Sequence, residues 1–411
     1  MRKTLFTALI SGLIFAGCTQ EPDSFELKNG PWRGVIKLQG TEVPFNFDVN
    51  LNDGKYEVIL KNAGEQLVLD ELRKEGDSLV MVMHIFDSEL RAKWEGDSMK
   101  GYFIKNYEKN YRLPFVAAAG QEFRFSNADT EPGIDFSGTY ASVFTNEEDT
   151  TNAVAILEQK GNKVTGTFLT PLGDYRYLEG NVVNGKLNLS VLDGNHAFLF
   201  TAEKHSGDSI TGTYYSGKKW KQTWKGKLDP TATLPDAGSL TMLKDGVETF
   251  DFAFPDAAGK QIKSTEERLT NKVVLVQLLG TWCPNCMDET KFLAGWYPKN
   301  KDRGVEVVGL AFESKDDFDY ASGRVKKMTD RLKVEYPVLI AGNKDKKKAA
   351  EALPGLQKLV AFPTTFYIGR DGKVKKIHTG FSGPGTGVHY ERFMEDFNST
   401  ISKLLSEPAT E

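Results

Sequence analysis

Cysteine is scarce, with three residues in a chain of 411. A fold stapled by several disulfides is thereby excluded. Histidine is hardly commoner, five in all, and shows no ligand spacing. A zinc ribbon needs four ligands, usually two close pairs, and only one Cys-X-X-Cys is present, so neither a metal nor a cofactor is expected. Charge of one sign is missing too: 52 Lys and Arg against 56 Asp and Glu leave a net −4. That carries no electrostatic footprint for nucleic acid. The local "KDKKK" run (Lys344–Lys348) reads as one solvated face of a short helix. Past the first twenty residues there is no long apolar run, so no further segment is expected to span a bilayer as a helix.

The first twenty residues differ. Met1, Arg2 and Lys3 give a positive start, and "LFTALISGLIFAG" (Leu5–Gly17) is apolar but too short to span comfortably as a mature helix. The segment ends in "FAGC", which resembles a bacterial lipobox, with Phe15 where leucine is usual. The resemblance implies cleavage before Cys18, acylation of its thiol and stable anchoring in a lipid bilayer. An ordinary secretory signal that leaves Cys18 free is the alternative. Residues 1–17 are thus read as a lipoprotein signal peptide and 18–30 as a tether. The expected place is the bacterial cell envelope, facing the periplasm.

From Trp32 to about Leu228 the chain reads as short strands punctuated by Gly-Asp, Asn-Gly and Asp-Gly turns, as in "GKYEVIL" (Gly54–Leu60), "SLVMVMHIF" (Ser78–Phe86) and "KLNLSVL" (Lys186–Leu192). "EGDSMKGYF" (Glu95–Phe103) repeats as "SGDSITGTY" (Ser206–Tyr214), and "KEGDSL" (Lys74–Leu79) lies where "VNGKLNL" (Val183–Leu189) lies later. The offset implies two all-β repeats, residues 31–125 and 132–229, as tandem small barrels or sandwiches; one larger sandwich is the alternative. Trp94, Tyr214, Tyr215, Trp220 and Trp224 are read as core and cross-strand fillers rather than a ligand face, because no polar constellation accompanies them.

Residues 230–242 read as a Pro- and Ala-rich linker, and the rhythm then changes. Strands "KVVLVQLL" (Lys272–Leu279), "VEVVGLAF" (Val305–Phe312) and "YPVLIA" (Tyr336–Ala341) alternate with helices expected over Pro284–Trp296 and Lys315–Lys333. "TTFYIG" (Thr364–Gly369) and "KVKKIHT" (Lys373–Thr379) flank an Asp-Gly turn as a hairpin, and a last amphipathic helix takes Tyr390–Leu405. This argues an α/β sheet closed by an antiparallel hairpin, over residues 243–411. "GFSGPGTG" (Gly380–Gly387) reads as a flexible lead-in to the last helix.

Cys283 and Cys286 sit where a strand gives way to a helix. They close too small a loop to stabilise a fold much, so the pair is read as chemical. Pro284 suits the first helical position. The unpaired N–H groups and partial positive charge of the helix start favour a Cys283 thiolate, whose pKa is expected below the free value of about 8.5. Cys286, one turn along and more buried, then resolves the mixed disulfide.

"VVLVQLLGTWCPNCMDET" resembles the active-site strand, loop and helix of the TlpA-type thioredoxin-like proteins. "FDFAFPDAAGKQI" (Phe250–Ile262) is similar to their opening hairpin, and "AFPTTFYIGRDGKV" (Ala361–Val374) to their cis-proline strand and hairpin. The resemblance implies a thioredoxin-like fold and an exported, often membrane-tethered thiol–disulfide oxidoreductase. It makes Cys283 the nucleophile, Cys286 the resolving cysteine and Trp282 the flanking tryptophan. Pro363 becomes a cis-proline, which sets the Phe362 backbone beside Cys283 for pairing with an extended client. It also implies that Glu289 helps proton movement at the buried cysteine; a solvated helix carboxylate is the alternative. Gln277 stands where thioredoxin proper has a buried aspartate, and Pro284-Asn285 departs from the usual dipeptide. Partners implied are client proteins with disulfides or dithiols and a membrane thiol electron donor, with reduction the favoured direction. A different class remains open, in which the β half binds a ligand or partner and the thioredoxin-like part is accessory.

Overall fold

The computed structural model describes residues 26–127 and 133–408. The segment expected to be a signal peptide, and Cys18, lie outside the described residues. The α/β fold preceded by an all-β region is the architecture observed.

The all-β region holds two nine-stranded antiparallel sheets. In the first, strands pair in sequence, and the first strand, Gly30–Leu38, also pairs with the last, Arg112–Ala119. Its edges are Glu65–Leu69 and Leu72–Glu75, so this sheet curls without closing. In the second, Gly138–Thr145 pairs with Trp220–Leu228, and Thr150–Lys160 pairs with Lys163–Thr170. That last pairing closes a barrel, from whose mouth the two-residue strand Gly173–Asp174 projects. The repeated sequences occupy matching hairpin corners. Gly101 and Gly212 hold equivalent places, and a Cβ at either would lie 1.9 Å from a carbonyl oxygen of the neighbouring strand.

Each sheet faces its aromatic side chains inward. Trp32, Phe45, Phe47, Phe103 and Phe115 are buried in the first. Phe144, Phe168, Phe200, Tyr214 and Trp224 form a ring-on-ring core in the barrel, with Phe168 and Phe200 stacked at 4.8 Å. Tyr214 and Trp224 are thus core residues, whereas Trp220 is exposed. The two units are joined through Arg124, which donates to the carbonyls of Lys61 (2.6 Å) and Ser190 (2.9 Å). Ahead of the first strand the chain packs down: Leu27 is buried and Trp32 Nε1 donates to Lys28 O.

The C-terminal sheet runs Val338–Asn343, Val305–Glu313, Val273–Leu279, Thr364–Ile368, Val374–Thr379. The first three strands are parallel and the last two form the antiparallel hairpin. Val273–Leu279 is buried at every position, as a central strand covered on both faces must be. Helices α1 (Pro284–Trp296), α2 (Phe318–Leu332), α3 (Lys346–Ala352) and α4 (Val388–Ser406) complete the domain. Helix α2 begins three residues later than its charge pattern indicates, because Asp317 caps it through the Tyr320 N–H. Asp345 caps α3 within the lysine run.

The expected strand Ser78–Phe86 stops at Val82, since His84 takes a left-handed backbone conformation. The segment read as a linker has a short helical turn at Ala237–Ser239, a buried Thr241 and a strand Met242–Leu243 paired with Leu356–Lys358. The first sheet also grips α2, through Arg331–Asp70 (2.8 Å), Lys327–Glu71 (2.7 Å) and a Tyr320–Asp87 hydrogen bond (2.8 Å).

Candidate active site

Strand Val273–Leu279 ends one residue before Gly280, and the short loop to α1 delivers Cys283 as the helix N-cap. Cys283 and Cys286 are joined as a disulfide. The Cys286 backbone N–H points at Cys283 Sγ from 3.2 Å, so the helix terminus is aimed at the sulfur that would carry charge once reduced. Cys283 is 5% exposed and Cys286 fully buried. Cys283 is thus the more accessible of the two sulfur-bearing residues.

The bond between Phe362 and Pro363 is cis, and the Phe362 carbonyl oxygen lies 3.6 Å from Cys283 Sγ. Trp282 directly precedes the pair in the loop. Its Nε1 donates to Phe312 O (2.8 Å), and its ring meets Phe362 edge-on. The preceding turn is held by buried Glu313, which accepts from Thr281 N (2.8 Å) and Oγ1 (2.7 Å).

Glu289 is not solvated. It is 2% exposed, one turn beyond Cys286 on α1. Its carboxyl accepts from Gln277 Nε2 (2.7 Å) and Thr365 Oγ1 (2.9 Å). Burial pushes its pKa up to about 7, against those two hydrogen bonds. Gln277 thus places an amide, not a second carboxylate, next to this group.

The β half reaches the same site, through residues that sequence reasoning missed. Asn195 Nδ2 donates to Trp282 O (2.7 Å), and Asn285, between the cysteines, donates to Asp174 O (3.1 Å). Arg176 Nη1 donates to Pro284 O (3.1 Å), and its guanidinium forms buried ion pairs with Glu65 of the first sheet and Asp288 of α1. One cation therefore ties both β units to α1. Asp288 is pushed up to about 7 by its burial, with Glu65 and Asp174 adding to this and Arg176 opposing. Beside them Asp193 accepts from His196 Nδ1 (3.0 Å). Burial lowers the pKa of His196, against the pull of Asp193. The aromatic residues lack a polar constellation in sequence, but these loops supply one in space. Its sequence signal is weak: turn-forming Asp193-Gly194-Asn195 and a left-handed Arg176 look like ordinary loops.

"GFSGPGTG" does lead into α4, yet it is packed rather than free. Gly383 N donates to Asp174 Oδ2 (2.6 Å), and Thr386 is buried. Barrel loops and redox domain together line an open pocket of about 210 Å³ beside the disulfide, to which Cys283, Trp282 and Phe362 of the redox domain and Arg176, His196 and Phe198 of the barrel contribute.

Residues 244–390 match the Redoxin family model. The chain is 33% identical over 129 residues to thiol-disulfide oxidoreductase ResA of Bacillus anthracis, a match covering 31% of this chain. It spans 66% of that relative's own length. It is 30% identical over 139 residues to the ResA of Bacillus subtilis (strain 168), covering 34% of this chain and 69% of that protein. Among solved structures it is similar to a thiol:disulfide interchange protein of the thioredoxin family from Chlorobium tepidum TLS, at 23% identity and a TM-score of 0.30, over 40% of this chain and 100% of that one. It is also similar to the thioredoxin domain of a thiol-disulfide oxidoreductase from Bacteroides vulgatus, at 21% identity and a TM-score of 0.28, over 37% of this chain and 99% of that one. With its redox pair capping the first helix of a redoxin domain, the chain belongs to the ResA family of thiol–disulfide oxidoreductases.

Proposed function

We propose that the chain is an envelope thiol–disulfide oxidoreductase of TlpA type, held to a membrane by lipid on Cys18, that reduces client disulfides. The observation that carries the reading is the disulfide at the start of α1, with a backbone N–H aimed at Cys283 and the Phe362 carbonyl beside it. In the dithiol form, Cys283 attacks a client disulfide and releases one client thiolate. Cys286 then attacks the Cys283 sulfur, releases the second and restores the disulfide. Buried Glu289 lies within one turn of Cys286 and is poised near neutrality to exchange the proton that cysteine gives up. A membrane thiol donor returns the electrons. Among the described residues no helix is long and apolar enough to cross a membrane.

Replacing Cys286 with Ser leaves the mixed disulfide unable to resolve. Clients are then expected to stay covalently bound to Cys283 and to be released by dithiothreitol; a Cys283→Ala protein that turns over clients normally defeats the reading. Equilibration in glutathione buffers gives the direction, since a potential well above the glutathione couple makes the protein an oxidant. The contacts of Arg176, Asn195 and Asp174 with the redox loop favour one composite machine over a β module with an accessory redox domain.

A further inference from the structure

Between the barrel strands Lys186–Leu192 and Ala197–His205, Asp193 to His196 form one tight turn, closed by the Asp193 N–H on His196 O (3.1 Å). Gly194 takes a left-handed backbone conformation there, and a Cβ on it would lie 2.5 Å from the Phe86 ring, so the turn is seated on the first sheet as well. Asp193, 2% exposed, accepts from the backbone N–H groups of Asn195 (2.8 Å) and His196 (2.6 Å) and from His196 Nδ1 (3.0 Å). A carboxylate on Nδ1 makes that nitrogen the N–H donor and leaves Nε2 its lone pair. Asn195 agrees with this tautomer. Tyr107 Oη donates to its Oδ1 (2.8 Å), which turns Nδ2 toward both His196 Nε2 (3.3 Å) and Trp282 O (2.7 Å). The imidazole is therefore two hydrogen bonds from the peptide that joins Trp282 to Cys283. Its side chain keeps 29% of its exposure, and it lines the same open pocket as Cys283. The charges that act on the ring are Asp193, which favours its imidazolium form, and Lys105 and Arg176, which oppose it together with burial. Asp174 is the other carboxylate of the pocket. A nucleophile, a base and the carboxylate that orients the base thus share one place.

Resting on the reading that Cys283 is the attacking sulfur, we propose that His196, oriented by Asp193, is the acid–base group for client exchange at Cys283, supplied by the barrel rather than by the redox domain. In the dithiol form Nε2 holds the proton that Cys283 gives up, and the thiolate left behind favours the imidazolium. Cys283 thiolate attacks R–S–S–R, the S–S bond breaks, and the departing R–S⁻ takes the proton from Nε2 as R–SH. Cys286 then gives its proton to Glu289, attacks the Cys283 sulfur and expels the second R–S⁻, which that second proton neutralises through solvent. The two cysteines lose two electrons, the client sulfurs gain them, and the membrane thiol donor restores the starting state. Glu289 serves the buried sulfur in this scheme and His196 the accessible one.

The test is single-turnover exchange by the full chain, reduced with dithiothreitol and desalted, with two probes that differ in their leaving group. Hydroxyethyl disulfide expels an alkyl thiolate that needs a proton; a dipyridyl disulfide expels a thiolate stabilised by its ring. In the unaltered chain the hydroxyethyl rate is expected to pass through a maximum and fall on the alkaline side, where the imidazolium is gone, while the dipyridyl rate rises to a plateau. His196→Gln can still donate to Asp193 but cannot carry a proton. It is expected to lower the ratio of hydroxyethyl to dipyridyl rate about 100-fold, the low end for a positioned acid–base group, and to abolish the alkaline fall. Asp193→Asn frees the ring from its tautomer and is expected to lower the same ratio about tenfold. A residue that only clamps the loop would move both rates together. A ratio that either stays put or falls through equal loss of both rates overturns the proposal. So does the absence of an alkaline fall in the unaltered chain, a measurement that needs no variant to fold. Undiminished exchange by Cys283→Ala defeats the proposed function itself, whatever His196 does.

Discussion

Glu289→Gln turns a buried carboxyl into an amide of the same shape, and its consequence depends on pH in a direction that can be worked out. The folded-state pKa stands at about 7 against 4.5 for an ordinary glutamate, and the side chain is 2% exposed, so solvent screening is small. A folded pKa raised above the unfolded one means that the folded state binds the extra proton. Stability is then fully present below about pH 4.5 and is lost as pH rises through about 7, by up to 1.36 kcal/mol per unit. Over the whole window that is about 3 kcal/mol. Glutamine keeps a partner for both Gln277 and Thr365 and carries no charge. The neighbouring Tyr336 and Tyr367 are raised well above their ordinary range by burial and do not titrate here. Urea unfolding of the oxidised protein, followed by tryptophan fluorescence at several pH values, is the assay. At about pH 5 the variant should match the unaltered chain to about 1 kcal/mol, the size of one net hydrogen bond. At about pH 8.5 the variant should be the more stable by about 3 kcal/mol. A difference that stays constant across that range would show that Glu289 is ionised throughout, and the proton-exchange role assigned to it would go too.

Other outcomes can be checked as directly. Arg176→Met leaves Glu65 and Asp288 buried without their cation; a loss of about 3–5 kcal/mol is expected in denaturant unfolding, less near pH 6 where Asp288 takes up a proton. Phe168→Ala empties the middle of the barrel core and should cost about 3–5 kcal/mol by the same measurement. Asp317→Ala removes the cap of α2 on an exposed loop, where a loss of about 1 kcal/mol with unchanged disulfide exchange is expected.

The geometry of the cysteine pair was legible because its parts are close in sequence. Cys283, Pro284 and Cys286 form a strand–loop–helix junction, and a helix start is a local event set by capping and by proline at the first position. Pro363 is distant, and its place beside the pair came from the resemblance of its strand. Glu289 was half legible: its position on α1 followed from periodicity, but only the fold shows that Gln277 and Thr365 close over it. The doubled β pattern survived in repeated turns, because hairpin corners demand particular residues at fixed spacing.

By itself the chain of residues determined an α/β domain behind two β units and a cysteine pair at a helix terminus, since periodicity, capping and turn chemistry act over a few residues. Only the tertiary structure decided that Arg176, Asn195 and Asp174 stand at that pair, across separations of 108, 87 and 111 residues. Those contacts depend on how two β units and a sheet pack in three dimensions. A buried guanidinium and a glycine with no room for a Cβ have no local pattern that announces what they will meet.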